Sequence, residues 1–394
     1  MDRDRIFTKD FIVNFFINFN VYMVFFLFTI IVVEYAMTFL QATASQAGLA
    51  AGIFVFSGFA GCIAAGRCAV WLGLKPLLYI GGLIFFAASA MYVVISSVTA
   101  LYGVRILQGF GFGVVSTATG TLVAALTPVS RRGEGIGYYT LSVILATAAG
   151  PFLGMWFQRY GLYTADMLLC MALCGINIGL AVLLRTPMLP SYEPAKNKGS
   201  FWRKYVEPAA VPIGVLGLII GMSYSGLVSF LTSFVKEARL TEAGVWYFFV
   251  YAVCIFLSRP FMGRLLDNRG ENYVMYSLLL SFAADMALLS QAESALVLLL
   301  SAAFVGLGYG SFMPTAQAIA VKVAAPSRIG VATATFMSLF DIGMGVGSYV
   351  LGAAIPYTGY AGLYQMTAIV ILFCIVLYYA VHGKRAAIQR NVYF

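Results

Sequence analysis

The chain has 394 residues, 61% of them hydrophobic and only 10% charged, with a mean hydropathy of +0.91. So few charges cannot cover the surface of a water-soluble protein this long, and the apolar residues fall in blocks of roughly 20, enough to cross about 30 Å of hydrocarbon. The net charge is +9, but the basic residues sit between the apolar blocks rather than in one patch, which argues against a nucleic-acid partner and makes the charge a topology signal.

The blocks predict an all-α membrane protein with twelve spans, near 10–36, 45–69, 74–96, 98–126, 134–158, 161–184, 207–236, 242–266, 271–292, 294–322, 328–355 and 359–382. The first run, Phe11–Val33, lacks an A-x-A-like cleavage site and is expected to be a retained helix. With the N-terminus inside, nineteen Lys and Arg residues fall in cytoplasmic segments, and three (Arg159, Lys236, Arg239) fall outside. That asymmetry obeys the positive-inside rule only if both termini are cytoplasmic, which needs an even number of spans. The polar stretch after span 6 carries Pro187, Pro190 and Pro194 with several basic residues. It reads as a linker over 185–206, between an N-terminal bundle over 1–184 and a C-terminal bundle over 207–394.

Span 1 carries Asn14 and Asn18 on one face, then Tyr22, Phe26 and, near its outer end, Glu34. After span 2 comes Gly66-Arg67 with Gly73 and Lys75 beyond it. Span 4 opens Leu101-Tyr102-Gly103-Val104-Arg105-Ile106-Leu107-Gln108-Gly109. An Arg within a span costs about 2.5–3.5 kcal/mol on insertion scales, so Arg105 should face a cavity or an acid, or snorkel to the outer surface. Arg131-Arg132-Gly133 leads into span 5, which holds Ala146-Thr147-Ala148-Ala149-Gly150-Pro151-Phe152-Leu153-Gly154. Gly150 and Gly154 make a small-xxx-small face and Pro151 a kink.

In the second half, span 7 offers Tyr224. Span 8 ends on Ser258-Arg259-Pro260 and the loop Gly263-Arg264-Leu265-Leu266-Asp267-Asn268-Arg269-Gly270. Span 9 holds Asp285, and span 10 holds Tyr309 and Gln317. Span 11 places Asp341 about 20 Å along its axis, near mid-membrane. There the charged form is disfavoured, so Asp341 is the first candidate for a coupling proton, with Glu34 second and Asp285 third. A structural hydrogen bond to a neighbouring helix is the alternative for each.

The halves repeat. Gly66, Gly73, Gly109, Gly111, Gly113, Gly133 and Gly150 recur 197 residues later as Gly263, Gly270, Gly306, Gly308, Gly310, Gly330 and Gly347. One offset over six spans implies a six-span unit used twice. The six cysteines lie in apolar segments without a C-x-x-C pair, so no metal or disulfide is expected. The only histidine, His382, lies near the chain end, which argues against His relays and His-rich metal sites.

These motifs carry a resemblance. The loop 263–270 resembles the G-R-x-x-D-R-x-G signature of the major facilitator superfamily; the copy at 66–73 has Val70 in place of Asp. The Arg105 segment resembles the family's fourth-helix motif, and the Gly150-Pro151 segment resembles its antiporter motif. Residues 131–139 resemble its R-g-x-x-x-g loop. The chain is most similar to bacterial twelve-helix drug:proton antiporters.

The resemblance implies a major facilitator fold of two pseudo-symmetric six-helix bundles, in a bacterial inner membrane. It implies a gate built on Gly66, Arg67, Gly73, Lys75, Arg259, Gly263, Arg264, Asp267 and Gly270, with Gly150, Pro151 and Gly154 at a helix bend. Protonation would be coupled through Arg105. The cavity would be lined by helices 1, 4, 7 and 10, hence Asn14, Asn18, Tyr22, Phe26, Gln108, Tyr224, Tyr309 and Gln317.

The expected function is export of small amphipathic or neutral molecules in exchange for protons. The expected partners are that substrate, the coupling proton and the lipid bilayer, with the protein a monomer and without cofactor. A sugar or metabolite transporter of the same fold and a non-transporting membrane receptor are the alternatives. An enzyme is not expected, because no nucleophile–His–acid set is present.

Overall fold

A computed structural model of the protein describes residues 6–128, 131–186, 206–325 and 328–384. The described residues form helices and no strand. Most of the linker over 185–206 lies outside them.

The first unit holds α1 (Lys9–Phe39), α2 (Ala44–Leu72), α3 (Leu74–Met91), α4 (Val98–Leu126), α5 (Arg132–Arg159) and α6 (Tyr163–Leu183). A short 3-10 turn, Tyr92–Val94, follows α3. The second holds α7 (Val211–Glu237), α8 (Thr241–Arg269), α9 (Glu271–Ser290), α10 (Ala295–Lys322) and α11 (Ile329–Tyr378). The apolar stretch Val331–Gly383 is 53 residues long. As one helix it would reach about 80 Å, far beyond the roughly 30 Å of a bilayer core. Gly359 breaks α11 with φ 66° and ψ 177°, leaving two arms, 329–358 and 360–378. With α11 divided there, the described residues contain twelve helical segments long and apolar enough to cross a bilayer, near the predicted boundaries.

Each bound is set by local chemistry. Thr8 caps α1 by accepting from the Phe11 amide at 3.2 Å. Ser97 and Ser294 cap α4 and α10 in the same way, at 3.2 and 3.4 Å. Lys75 donates to the carbonyls of Val182 and Leu184 at 3.2 and 2.9 Å, satisfying acceptors that the end of α6 leaves open. Glu207 and Arg328 pair just outside α7 and α11, and Arg328 also donates to the Val206 carbonyl at 2.9 Å. The hydrogen bond from Arg328 holds the Glu207 carboxyl below its usual range.

The duplication reaches individual contacts. Gly73 and Gly270 share a left-handed backbone, φ 78° with ψ 169° and φ 80° with ψ 168°. A Cβ on Gly111 would sit 2.7 Å from the Phe85 amide and 2.9 Å from the Gly81 carbonyl. A Cβ on Gly308 would sit 2.6 Å from the Phe282 amide and 2.8 Å from the Leu278 carbonyl. Phe85 and Gly81 lie 197 residues before Phe282 and Leu278, so the same helix pair packs in the same way twice.

The compact units do not follow chain order everywhere. The first comprises Met1–Ala42 and Ile53–Pro194, and the second Thr43–Gly52 and Ala195–Phe394. The start of α2 thus groups with the second unit. Gly48 and Gly52 lie there against the backbone of Ser348 and Gly345.

Replacing Gly111 or Gly308 with Val should cost about 1–3 kcal/mol by overpacking, read as a lower thermal midpoint in detergent. Gly66→Ala, with open space around it, should leave the midpoint unchanged. The Glu207–Arg328 pair contributes stability at neutral pH that is lost as pH falls through the lowered Glu207 value. Arg328→Gln should therefore flatten the acid side of the stability profile.

Candidate functional site

Each unit buries a polar nest built on charged or acidic side chains. In the first unit, Arg105 lies seven residues into α4, about 10 Å along its axis. It is 1% exposed, so it does not snorkel. Its Nη1 donates to Gln108 Oε1 at 2.9 Å and reaches the Tyr92 hydroxyl at 3.5 Å. Its guanidinium carbon stands 4.4 Å above the Phe54 ring, a cation–π contact that strengthens when dry.

Tyr92 donates to Gln108 at 3.0 Å and stacks on Phe28 at 4.2 Å. Gln108 in turn donates to Ser89 at 3.3 Å, and Ser89 meets Cys174 Sγ at 3.7 Å. Arg105 and Gln108, three apart on α4, share the face that this network needs. Glu34 is also buried, one turn before the Thr38 hydroxyl that donates to it at 3.3 Å.

The second unit reverses the charge. Asp285 is fully buried on α9. Its Oδ1 accepts from Ser301 at 2.6 Å and from Tyr247 at 3.2 Å, both six residues into their helices. Its Oδ2 and the buried Tyr364 hydroxyl have no hydrogen-bond partner among the described residues. Position 197 residues before Asp285 is Ala88, and position 197 after Arg105 is Ala302. The duplicated scaffold therefore carries a buried cation in one copy and a buried acid in the other.

Asp341 is half-buried on the first arm of α11, beside Phe340, whose ring stacks toward Tyr309 at 6.4 Å. Tyr309 and Tyr224 stack at 3.5 Å with planes 9° apart, and Tyr224 meets the Tyr251 hydroxyl at 3.4 Å. Among the described residues no hydrogen bond reaches the Asp341 carboxylate. The structure thus brings together Tyr224, Tyr309 and the α11 segment that holds Asp341. Gln317 is half-buried farther along α10.

Other expected cavity residues have structural partners. Asn14 donates to the Thr119 carbonyl at 3.0 Å, and Asn18 to Ser142 at 2.7 Å while accepting from Tyr139 at 2.7 Å. Both are fully buried between α1, α4 and α5. Tyr22 and Phe26 are half-buried in an aromatic cluster, Tyr22 lying 5.2 Å from Phe112. Gly150 meets the Phe26 Cβ and Gly154 meets Ile30, so the small face of α5 seats α1. Pro151 lies inside α5, and Gly66 and Arg67 are exposed on α2. Arg259, Gly263, Arg264 and Asp267 belong to α8, and their side chains lie outside the described residues.

Residues not singled out in the sequence complete these nests: Ser89, Tyr92, Tyr247, Ser301, Tyr364 and Asp166. Asp166 is the only acid of α6. His382, set aside on sequence grounds, lies 2.9 Å from Glu271, which also pairs with Lys322 at 3.1 Å. These three line a cleft of about 440 Å³ with Pro208, Pro212 and Ile319.

Ser301→Ala removes the shorter donor to Asp285 and should cost about 1–3 kcal/mol of stability. In an Asp285→Asn background the same change should cost less, since the two share one interaction; thermal midpoints of the four proteins check this.

The family model of the Major Facilitator Superfamily matches residues 14–292 and 246–391. An uncharacterized MFS-type transporter of Methanocaldococcus jannaschii is 25% identical over 352 residues, covering 85% of this chain and 88% of that one. The multi-drug resistance efflux pump PmrA of Streptococcus pneumoniae is 24% identical over 348 residues, covering 84% and 85%. A solved structure of a mutant of the nucleoside transporter NupG shares the fold, with a TM-score of 0.80 at 14% identity over 95% of this chain and all of that one. With its motifs, its duplicated helices and a family match that spans nearly its whole length, this chain belongs to the Major Facilitator Superfamily.

Proposed function

We propose that this transporter exports small amphipathic or neutral molecules by proton antiport with alternating access. The observation that carries the reading is the asymmetry within the duplication. Arg105, Asp285 and Asp341 have only Ala302, Ala88 and Ile144 at the matching positions. Packing the scaffold needs none of them, and each is costly to keep in a membrane.

Asp341 is the coupling acid in this reading. It is half-buried rather than sealed, so a proton can reach it, and it adjoins the stacked Tyr224–Tyr309 pair that would receive an aromatic or apolar solute. Gln317 extends that surface along α10, and Tyr22 and Phe26 give the first unit an aromatic surface of its own. Arg105, Glu34 and Asp285 bias the protonation step. The glycine and charge positions of the two matching loops, with Asp267 in the C-terminal copy alone, gate the N-terminal side, which is cytoplasmic in a bacterial inner membrane. Similarity to a multi-drug efflux pump supports export, as does the Gly150-Pro151 segment.

The test uses proteoliposomes, ethidium as an amphipathic probe and a panel of neutral sugars. An imposed gradient of one pH unit should drive about tenfold accumulation of ethidium per coupled proton, and Asp341→Asn should abolish the gradient's effect while ethidium still binds. Accumulation of a sugar instead, or transport indifferent to both the gradient and the substitution, would contradict the proposal.

A further inference from the structure

Asp166 stands apart from the residues used so far. It lies in the first turn of α6 and is fully buried. Neither carboxylate oxygen has a hydrogen-bond partner among the described residues. Burial of a carboxylate anion with no hydrogen bond and no facing cation costs many kcal/mol, and real sites avoid that state.

No cation among the described residues is hydrogen-bonded to Asp166. The elements packed against α6 carry Lys9, Asp10, Tyr22, Glu34 and Tyr35 on α1, Lys75 and Tyr79 on α3, Tyr92 on the 3-10 turn and Tyr138, Tyr139 and Arg159 on α5, with Arg105 of α4 behind Tyr92; Lys75 is engaged at the opposite end of α6, on the carbonyls of Val182 and Leu184. None is a hydrogen-bond partner of Asp166. On α6 itself, Asp166, Cys170 and Cys174 lie at i, i+4 and i+8 on one face. Cys174 meets Ser89, Ser89 accepts from Gln108, and Gln108 accepts from Arg105. The acid therefore lies on the helix face that ends in the Arg105 network, without a bond to it.

The second unit makes the comparison. Gly161 and Gly359 both have a left-handed backbone, φ 68° and 66°, and open the sixth helix of each copy. Five residues beyond them stand Asp166 and Tyr364. Both are fully buried, and the oxygens of both are without partners among the described residues. Beside Tyr364 the second unit has Asp285, with its own unanswered Oδ2. Counted from these two glycines, one residue beyond the 197 offset of the earlier helices, the same position holds an unanswered polar group in each copy, and in the first copy that group is itself an acid.

We infer that Asp166 is a binding site for one exchangeable proton, separate from the Asp341 site, with the proton as the partner its carboxylate lacks. The inference rests on the proton-coupled reading only for its role in transport. Proton binding itself can be read without substrate.

The test alkalinises purified full-length protein in detergent and counts protons released per molecule, alongside the infrared C=O band of protonated carboxyls. Wild type should release one more proton than Asp166→Asn and should lose a band that the variant never shows. Asp166→Asn, an isosteric match to the neutral acid, should keep the wild-type thermal midpoint. If it does not fold, Asp166→Glu should keep the proton count and shift the band. Equal proton counts, or a band that survives alkaline pH, would overturn the inference.

Gradient-driven transport by wild type with an unchanged count in Asp166→Asn would sink this inference and leave the antiport reading standing. A lost proton together with gradient-independent transport would do the reverse.

Discussion

Lipid offers no hydrogen bonds, so every polar group inside this bundle has to be answered by another part of the chain. Most are. Asn14, Asn18 and Tyr139 close a network across three helices, and Lys75 serves the open end of α6. Among the described residues the buried exceptions are single oxygens of Asn14, Gln158, Thr232, Ser311, Asp285 and Tyr364, and both carboxylate oxygens of Asp166. Asp166 and Tyr364 lie five residues beyond the positive-φ glycines Gly161 and Gly359 of their units, Asp285 lies on the third helix of the second unit, and Asp341 lies beside that unit's stacked tyrosines.

The scaffold that sets up this contrast is held by glycine. At Gly111 and Gly308 the fourth helix of each unit presses onto the third too closely for any side chain. Such contacts replace the hydrophobic drive that lipid cannot supply. They also fix the register in which Arg105 meets Gln108 and Tyr92, and in which Asp285 meets Ser301 and Tyr247. A shared frame with unshared charges suits a machine that must distinguish two states. The neutral frame can stay nearly constant while the charged groups respond to protons.

Much of the fold was legible in the sequence because its signals are strong. Apolar blocks, the Lys/Arg asymmetry and the constant glycine offset give twelve helices and their duplication. The predicted spans 328–355 and 359–382 already divide the long apolar stretch of α11 where Gly359 breaks it. The site was only partly legible. Arg105 stands out because an arginine in a span is costly, and Tyr224 and Tyr309 were named singly though nothing in the sequence pairs them. Asn14 and Asn18 were read toward a cavity because helical spacing tells which residues share a face but not what that face meets. Asp166, in the first turn of α6, was not singled out, because only tertiary packing buries it. Asp285 is more fully enclosed than Asp341, which depth along the helix alone did not reveal.

The central claim is that movement of an amphipathic solute and of protons is one process. The most direct measurement uses no imposed gradient: proteoliposomes loaded with a pH-reporting dye receive an outward ethidium gradient, and internal pH is followed. The account predicts that solute efflux acidifies the lumen, that a protonophore removes the change, and that Asp341→Asn abolishes it. Ethidium efflux at full rate with the internal pH unmoved would contradict it.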